Sequence, residues 1–199
     1  IAASKGKTEE YFNNVKEKEN VLKYLRVSKA KTAIVCQSSP PRIEDSELTD
    51  NEIALKISGA FSKPDILRNT IHKNREMAVV IIDGAKPAVT ENTIDDNSKE
   101  GISIQAASPS INKNTISRNK GGGIIVHGSN AVISENNITD NRPLDMSGDM
   151  TGEPTNAMNN WWGTIRGIDV LSRIKGRINI AKILDGPYQT GKTVELPIL

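Results

Sequence analysis

The chain has 199 residues, 36% of them apolar and only 4% aromatic, and carries a formal charge of +2. No apolar run approaches the ~18 residues that a membrane-spanning helix needs, and Lys and Arg are scattered rather than gathered into the basic stripe that nucleic acid requires. A single cysteine, Cys36, excludes an intramolecular disulfide.

The first twenty residues are polar and charged. Thr8-Glu9-Glu10 reads as a helix start, and Tyr11, Phe12, Val15 and Leu22 as its apolar stripe. Such a helix would cover the open end of whatever follows. Because the chain opens on Ile1 rather than Met, processing or trimming is expected.

From there a repeat takes over. The pattern Asn-x-Ile-x-x-Asn occurs at Asn69–Asn74, Asn92–Asn97, Asn114–Asn119 and Asn136–Asn141, with a weaker copy at Ser46–Asn51. Its final Asn advances by 23, 23, 22 and 22 residues. A fixed period of this length marks a solenoid, in which no repeat buries its apolar face alone.

Alignment on that Asn exposes the remaining columns. A small residue follows within four positions: Ala54, Ala78, Gly101 and Gly123, with Ala33 earlier. Alternating apolar pairs come next: Ile34 and Cys36, Leu55 and Ile57, Val79 and Ile81, Ile102 and Ile104, Ile124 and Val126. A third column holds Ile43, Ile66, Val89, Ile111 and Ile133, and a fourth Leu48, Ile71, Ile94, Ile116 and Ile138. Period-two alternation with β-branched residues predicts short strands with one face buried, three to a coil. Coils stacked like onto like make a parallel β-helix of about 22–23 residues per coil, roughly 30 Å long at the ~4.8 Å interstrand spacing. The small column marks a tight corner, and the Asn columns a ladder of side-chain amides along the stack. Cys36 lies in an inward column and reads as a small core residue.

Two local matches are products of the repeat itself. Asn137-Ile-Thr139 has the form of a glycosylation acceptor, and Gly121–Gly123 lacks the Lys-Ser/Thr of a phosphate loop.

After Asn141 the pattern breaks into a loop over 142–158, rich in turn formers at Pro143, Gly148, Gly152 and Pro154, then resumes at Asn159-Asn-Trp-Trp-Gly163, with Asn160 on the Asn column and Trp162 on the Ile column. Ile168, Leu171, Ile174 and Ile178 predict a short helix and Thr193–Leu199 a final strand. The organisation expected is a capping or linker segment over 1–29, a β-helix over 30–163 and a C-terminal cap over 164–199.

The Asn-x-Ile-x-x-Asn repeats, the Gly-Ile-x-Ile strand of 101–104 and the closing Asn-Asn-Trp-Trp-Gly resemble the right-handed parallel β-helix proteins. This broad family of carbohydrate-binding proteins and sugar hydrolases includes the periplasmic NosD-like proteins. The resemblance covers roughly residues 30–199 and implies an all-β, right-handed solenoid, exported to the periplasm or beyond the cell. It also implies that any active site would lie along the outer face of one sheet, built from clustered carboxylates with Arg, Lys or His.

The outward positions beside the alternating pairs read Val35, Lys56, Val80, Ser103, Ile125 in one column and Gln37, Ser58, Ile82, Gln105, His127 in the other. Neither holds the carboxylate pair that glycosidic cleavage needs. Asp95 and Asp96 are assigned to a corner. The array is also short, and so no catalytic residue is expected. The apolar members point instead to a contact face for a protein partner, comprising Val35, Lys56, Val80, Ile82, Gln105, Ile125 and His127. No cofactor is expected, and His72 and His127 fall in different columns.

The expected function is therefore a non-catalytic structural or protein-interaction module in an envelope or extracellular assembly. Polysaccharide binding or processing is the alternative. Copper handling is a further one, through Met146 and Met150 of the segment Asp145–Met150, since thioethers favour Cu(I) and the resemblance includes NosD-like proteins.

Overall fold

The computed structural model describes residues 20–196. The helix expected at Thr8–Glu10, with Tyr11, Phe12 and Val15, lies outside the described residues. What is described is a right-handed parallel β-helix of about seven turns.

Three parallel sheets run the length of the stack. Sheet I has seven strands, among them Thr32–Gln37, Ile53–Ser58, Val79–Ile82, Ile102–Gln105 and Ile124–His127. Sheet II has eight, from Val21–Lys23 through Asp65–Leu67 and Ser110–Asn112 to Ile178–Asn179. Sheet III has six: Arg26–Ser28, Glu47–Thr49, Thr70–His72, Thr93–Asp95, Thr115–Ser117 and Asn137–Thr139.

The register follows the sequence columns. Ile43, Ile66, Val89, Ile111 and Ile133 are successive partners in sheet II, as are Leu48, Ile71, Ile94, Ile116 and Ile138 in sheet III. All ten are buried, so each coil contributes its apolar layer to one continuous core. Trp162 stacks beyond Ile138 and is fully buried, closing the sheet III column.

Two Asn ladders bind the coils together. Asn69, Asn92, Asn114, Asn136 and Asn160 form one, each side-chain oxygen accepting from the amide of the previous member at 2.9–3.0 Å. Asn51, Asn74, Asn97, Asn119 and Asn141 form the other. Each Nδ2 also donates to a carbonyl of the preceding coil, as Asn97 does to Ile71. Buried corner groups that would otherwise be orphaned are thereby satisfied, which is the physical reason Asn recurs there.

Corner geometry explains two further columns. The residues preceding the ladder Asn take positive φ: Asp45, Arg68, Glu91, Lys113 and Glu135 at one corner, and Asp50, Lys73, Asp96, Arg118 and Asp140 at the other. Each series alternates in charge along the stack. Arg68 pairs with Asp45 at 2.7 Å and Arg118 with Asp96 at 3.0 Å. In the small column, a Cβ on Gly123 would lie 2.4 Å from the Asp145 carbonyl, so only glycine fits there.

The 142–158 segment is not the free loop that its composition predicts. Met146–Ser147 joins sheet I and Thr155–Asn156 joins sheet II. Its Asp145 replaces the next Asn of the second ladder: Oδ1 accepts from both the backbone and side-chain amides of Asn141 at 3.0 Å. Its Oδ2 lies 2.7 Å from Nε of Arg173, an ion pair without the alignment of a hydrogen bond.

The C-terminal helix is shorter than expected, spanning Gly167–Ser172, with Ile168 and Leu171 exposed. Ile174 and Ile178 belong instead to the last strands of sheets I and II. An antiparallel hairpin, Lys182–Leu184 with Thr193–Glu195, follows, and Ile183 bridges to Asn160.

Candidate functional site

The sequence-predicted contact residues do form two adjacent outward columns on sheet I. Val35, Lys56, Val80, Ser103 and Ile125 are in register, and so are Ser58, Ile82, Gln105 and His127. The apolar strip is less open than expected: Val80 is only 9% exposed, and Ile82 and Ile125 are half-buried. His127 is held 3.1 Å from Asp149, whose other oxygen accepts the Gly128 amide at 2.7 Å. That backbone hydrogen bond, with the His127 contact, keeps the Asp149 carboxyl below the usual aspartate range.

The titratable groups gather on sheet III instead. Each of its strands presents one residue outward on either side of the buried Ile. One outward column reads Arg26, Glu47, Thr70, Thr93, Thr115, Asn137; the other Ser28, Thr49, His72, Asp95, Ser117, Thr139. Asp95 therefore lies on a strand, directly beside His72, and only Asp96 occupies the corner. This corrects the assignment of both aspartates to a corner.

The side chains of this face are linked. Nε2 of His72 lies 3.0 Å from a Glu47 carboxylate oxygen. The other Glu47 oxygen lies 3.2 Å from Nε of Arg26. From the next coil, Arg118 pairs with both Asp95 and Asp96. With the Nε2 proton donated to Glu47, the lone pair of a neutral His72 ring sits on Nδ1.

The carboxyls are driven apart in acidity. Burial, then the negative charge of Asp96, raises Asp95 above the usual aspartate range. The His72 hydrogen bond lowers Glu47, and that from Arg118 lowers Asp96. A carboxyl biased to keep its proton therefore lies beside an imidazole tied to one biased to lose it. Such divergence is what acid–base chemistry uses, and it also arises in structural ion networks.

Sequence alignment alone held the signal for this cluster. The triplets Thr-Ile-His, Thr-Ile-Asp and Thr-Ile-Ser, aligned on their ladder Asn, put His72, Asp95 and Ser117 in one column. The proposed copper ligands do not converge: Met146 is fully buried in the core and Met150 is exposed.

A right-handed coil stacked from three parallel sheets defines a class of protein, the right-handed β-helices. The chain belongs to that family: the model for the right handed beta helix region matches residues 12–171. Solved structures of the periplasmic alginate epimerase AlgG, one of them a point mutant, share the fold at a TM-score of 0.51 and 16% identity. The match covers 90% of this chain and 51% of theirs, so the chain spans about half the length of the structures it matches. No curated protein sequence matches it.

These findings correct the expectation of a non-catalytic structural or protein-interaction module. The matching solved structures are of an enzyme. The premise that carboxylates are missing fails too, because Glu47 and Asp95 flank His72 on the outer face of sheet III. The periplasmic setting of that epimerase agrees with the expectation of export.

Proposed function

We propose that this protein binds and processes a linear, uronate-containing polysaccharide along the outer face of sheet III. The observation that carries the reading is the Glu47–His72–Asp95 group with Arg118 beside it. The likeness to an alginate epimerase supports the substrate class, and its periplasmic setting supports action outside the cytoplasm.

The chemistry follows from the residues. A uronate carboxyl acidifies the hydrogen on the adjacent ring carbon. The Arg118 guanidinium, paired with Asp95 and Asp96 in the free protein, would exchange the Asp96 contact for that carboxylate and stabilise the charge that develops as the proton leaves. His72, oriented by Glu47, would take the proton on its lone pair. Asp95, whose burial favours the protonated form, would return a proton to the opposite face of the carbon, inverting it, or to the leaving glycosidic oxygen, cleaving the chain. The Thr70, Thr93 and Thr115 hydroxyls, one per coil, would hold the polymer in line.

Calorimetric titration with oligomannuronate, oligoguluronate and oligogalacturonate tests binding, and NMR of the products tests turnover. Wild-type protein is expected to bind at least one and to invert or cleave it. His72→Ala and Asp95→Asn are each expected to lose about 10²-fold or more in rate while melting normally, the usual range for a general acid or base. Wild-type protein that binds none of the three would sink the proposal.

A further inference from the structure

The tip of the C-terminal hairpin lies across one end of sheet III. The backbone N–H of Tyr188 donates to Oδ1 of Asn137 at 2.8 Å, and Oε1 of Gln189 lies 3.3 Å from its Nδ2. Asn137 is the next outward residue after Thr70, Thr93 and Thr115, so the tip sits in line with the hydroxyl column. Its own turn is firmly tied: the Thr190 and Gly191 amides both donate to the Pro187 carbonyl, and the Lys192 amide donates to the Asp185 carboxylate at 2.6 Å. Gly191 approaches the Gly186 carbonyl too closely for any Cβ. The tip is thus a built wall rather than a loose strand end.

The opposite end is different. Arg26, first in the same column, has an exposed side chain that pairs with Glu47 at 3.2 Å. Among the described residues nothing comparable to the hairpin tip crosses the face there.

We propose that the sheet III face is a path closed at its Asn137 end, so that it receives the end of a polysaccharide chain rather than its middle. This rests on the reading of sheet III as the glycan face. Adjacent coils are ~4.8 Å apart, close to the length of one sugar in an extended chain, so one sugar falls on each coil. From the wall at Asn137 the path crosses the Thr115 and Thr93 coils before it reaches that of Thr70 and His72. A chain end seated against Tyr188 therefore brings the third or fourth sugar to His72 and the one before it to Asp95, so the reacting sugar lies between those two coils.

The test uses oligouronates of four to six sugars carrying a bulky fluorophore at the reducing or at the non-reducing end. One of the two caps is expected to weaken binding at least tenfold, because that end meets the wall, while the other is tolerated. The double variant Tyr188→Gly with Gln189→Gly, checked for an unchanged melting temperature, is expected to remove most of the difference. Equal affinity for the two capped forms, with uncapped oligomers still bound, overturns the closed path and leaves the sheet III reading standing. Failure of every uncapped oligomer to bind removes that reading and this inference together.

Discussion

Sheets I and III are built from the same coils and bury the same kind of apolar column, yet their outer faces differ in kind. Sheet I presents Val35, Lys56, Val80, Ser103 and Ile125 beside Ser58, Ile82, Gln105 and His127, a strip in which Val35 is exposed, Ile82 and Ile125 are half-buried and Val80 is nearly covered. Sheet III presents a threonine column beside His72 and Asp95, with Glu47 and Arg118 bonded to them. Inward positions obey the solenoid and vary little. Outward positions are free of it, so a departure from the repeat there is where chemistry enters.

The sharpest way to break this contrast is to charge the quiet face. Ile82→Lys together with Ile125→Lys is expected to leave oligouronate affinity within about twofold, whereas His72→Ala lowers turnover about 10²-fold or more. Calorimetry on the two variants decides it. If the lysine pair abolishes binding in a protein that still melts as the wild type does, the active face is sheet I.

A second comparison sets an inward residue against an outward one. Ile94 is fully buried between Thr93 and Asp95, and its replacement by Ala is expected to cost about 2–5 kcal/mol in chemical denaturation. Ile82→Ala, on a half-buried outward position, is expected to cost about 1 kcal/mol or less. Similar costs would mean that the outward column carries as much of the core as the inward one.

The solenoid was legible because every physical requirement recurs at the same step. Stacked Ile columns, ladder asparagines and the small corner residues each repeat at 22 or 23 residues, so a column needs no knowledge of its neighbours to be read. The alternating charges at Asp45, Arg68, Glu91, Lys113 and Glu135 were equally present in the sequence, but they gain meaning only once the coils are stacked. The candidate site was harder. His72 and Asp95 share a column that the repeat itself displays, yet the Glu47 contact runs diagonally between columns and depends on side-chain reach. The 142–158 segment was read as a loop because Gly and Pro mask its strands. Its Asp145 takes the place of the next ladder Asn in space, but it lies only four residues after Asn141, off the step of the repeat, so the column did not show it.

That substitution yields a further expected effect, which involves neither outer face. Burial raises the Asp145 carboxyl to about 6, despite the hydrogen bonds from Asn141 and the Arg173 charge. The folded protein then holds this proton more tightly than the unfolded chain does, so the contribution to stability is fullest below the ordinary aspartate range and is lost as pH rises towards 6. Melting temperature of the wild type minus that of Asp145→Asn should therefore fall between about pH 4 and pH 6 and level off above. A difference that rises over this interval would show the Arg173 ion pair to outweigh burial.

The central claim is that ligand meets sheet III and not sheet I, and methyl NMR reports on both faces at once. Protein labelled at Thr, Ile and Val methyls would be titrated with the tightest-binding oligouronate. The account predicts shifts at Thr70, Thr93 and Thr115 while Val80, Ile82 and Ile125 stay unmoved. Shifts confined to Val80, Ile82 and Ile125, with the threonine column silent, would contradict it.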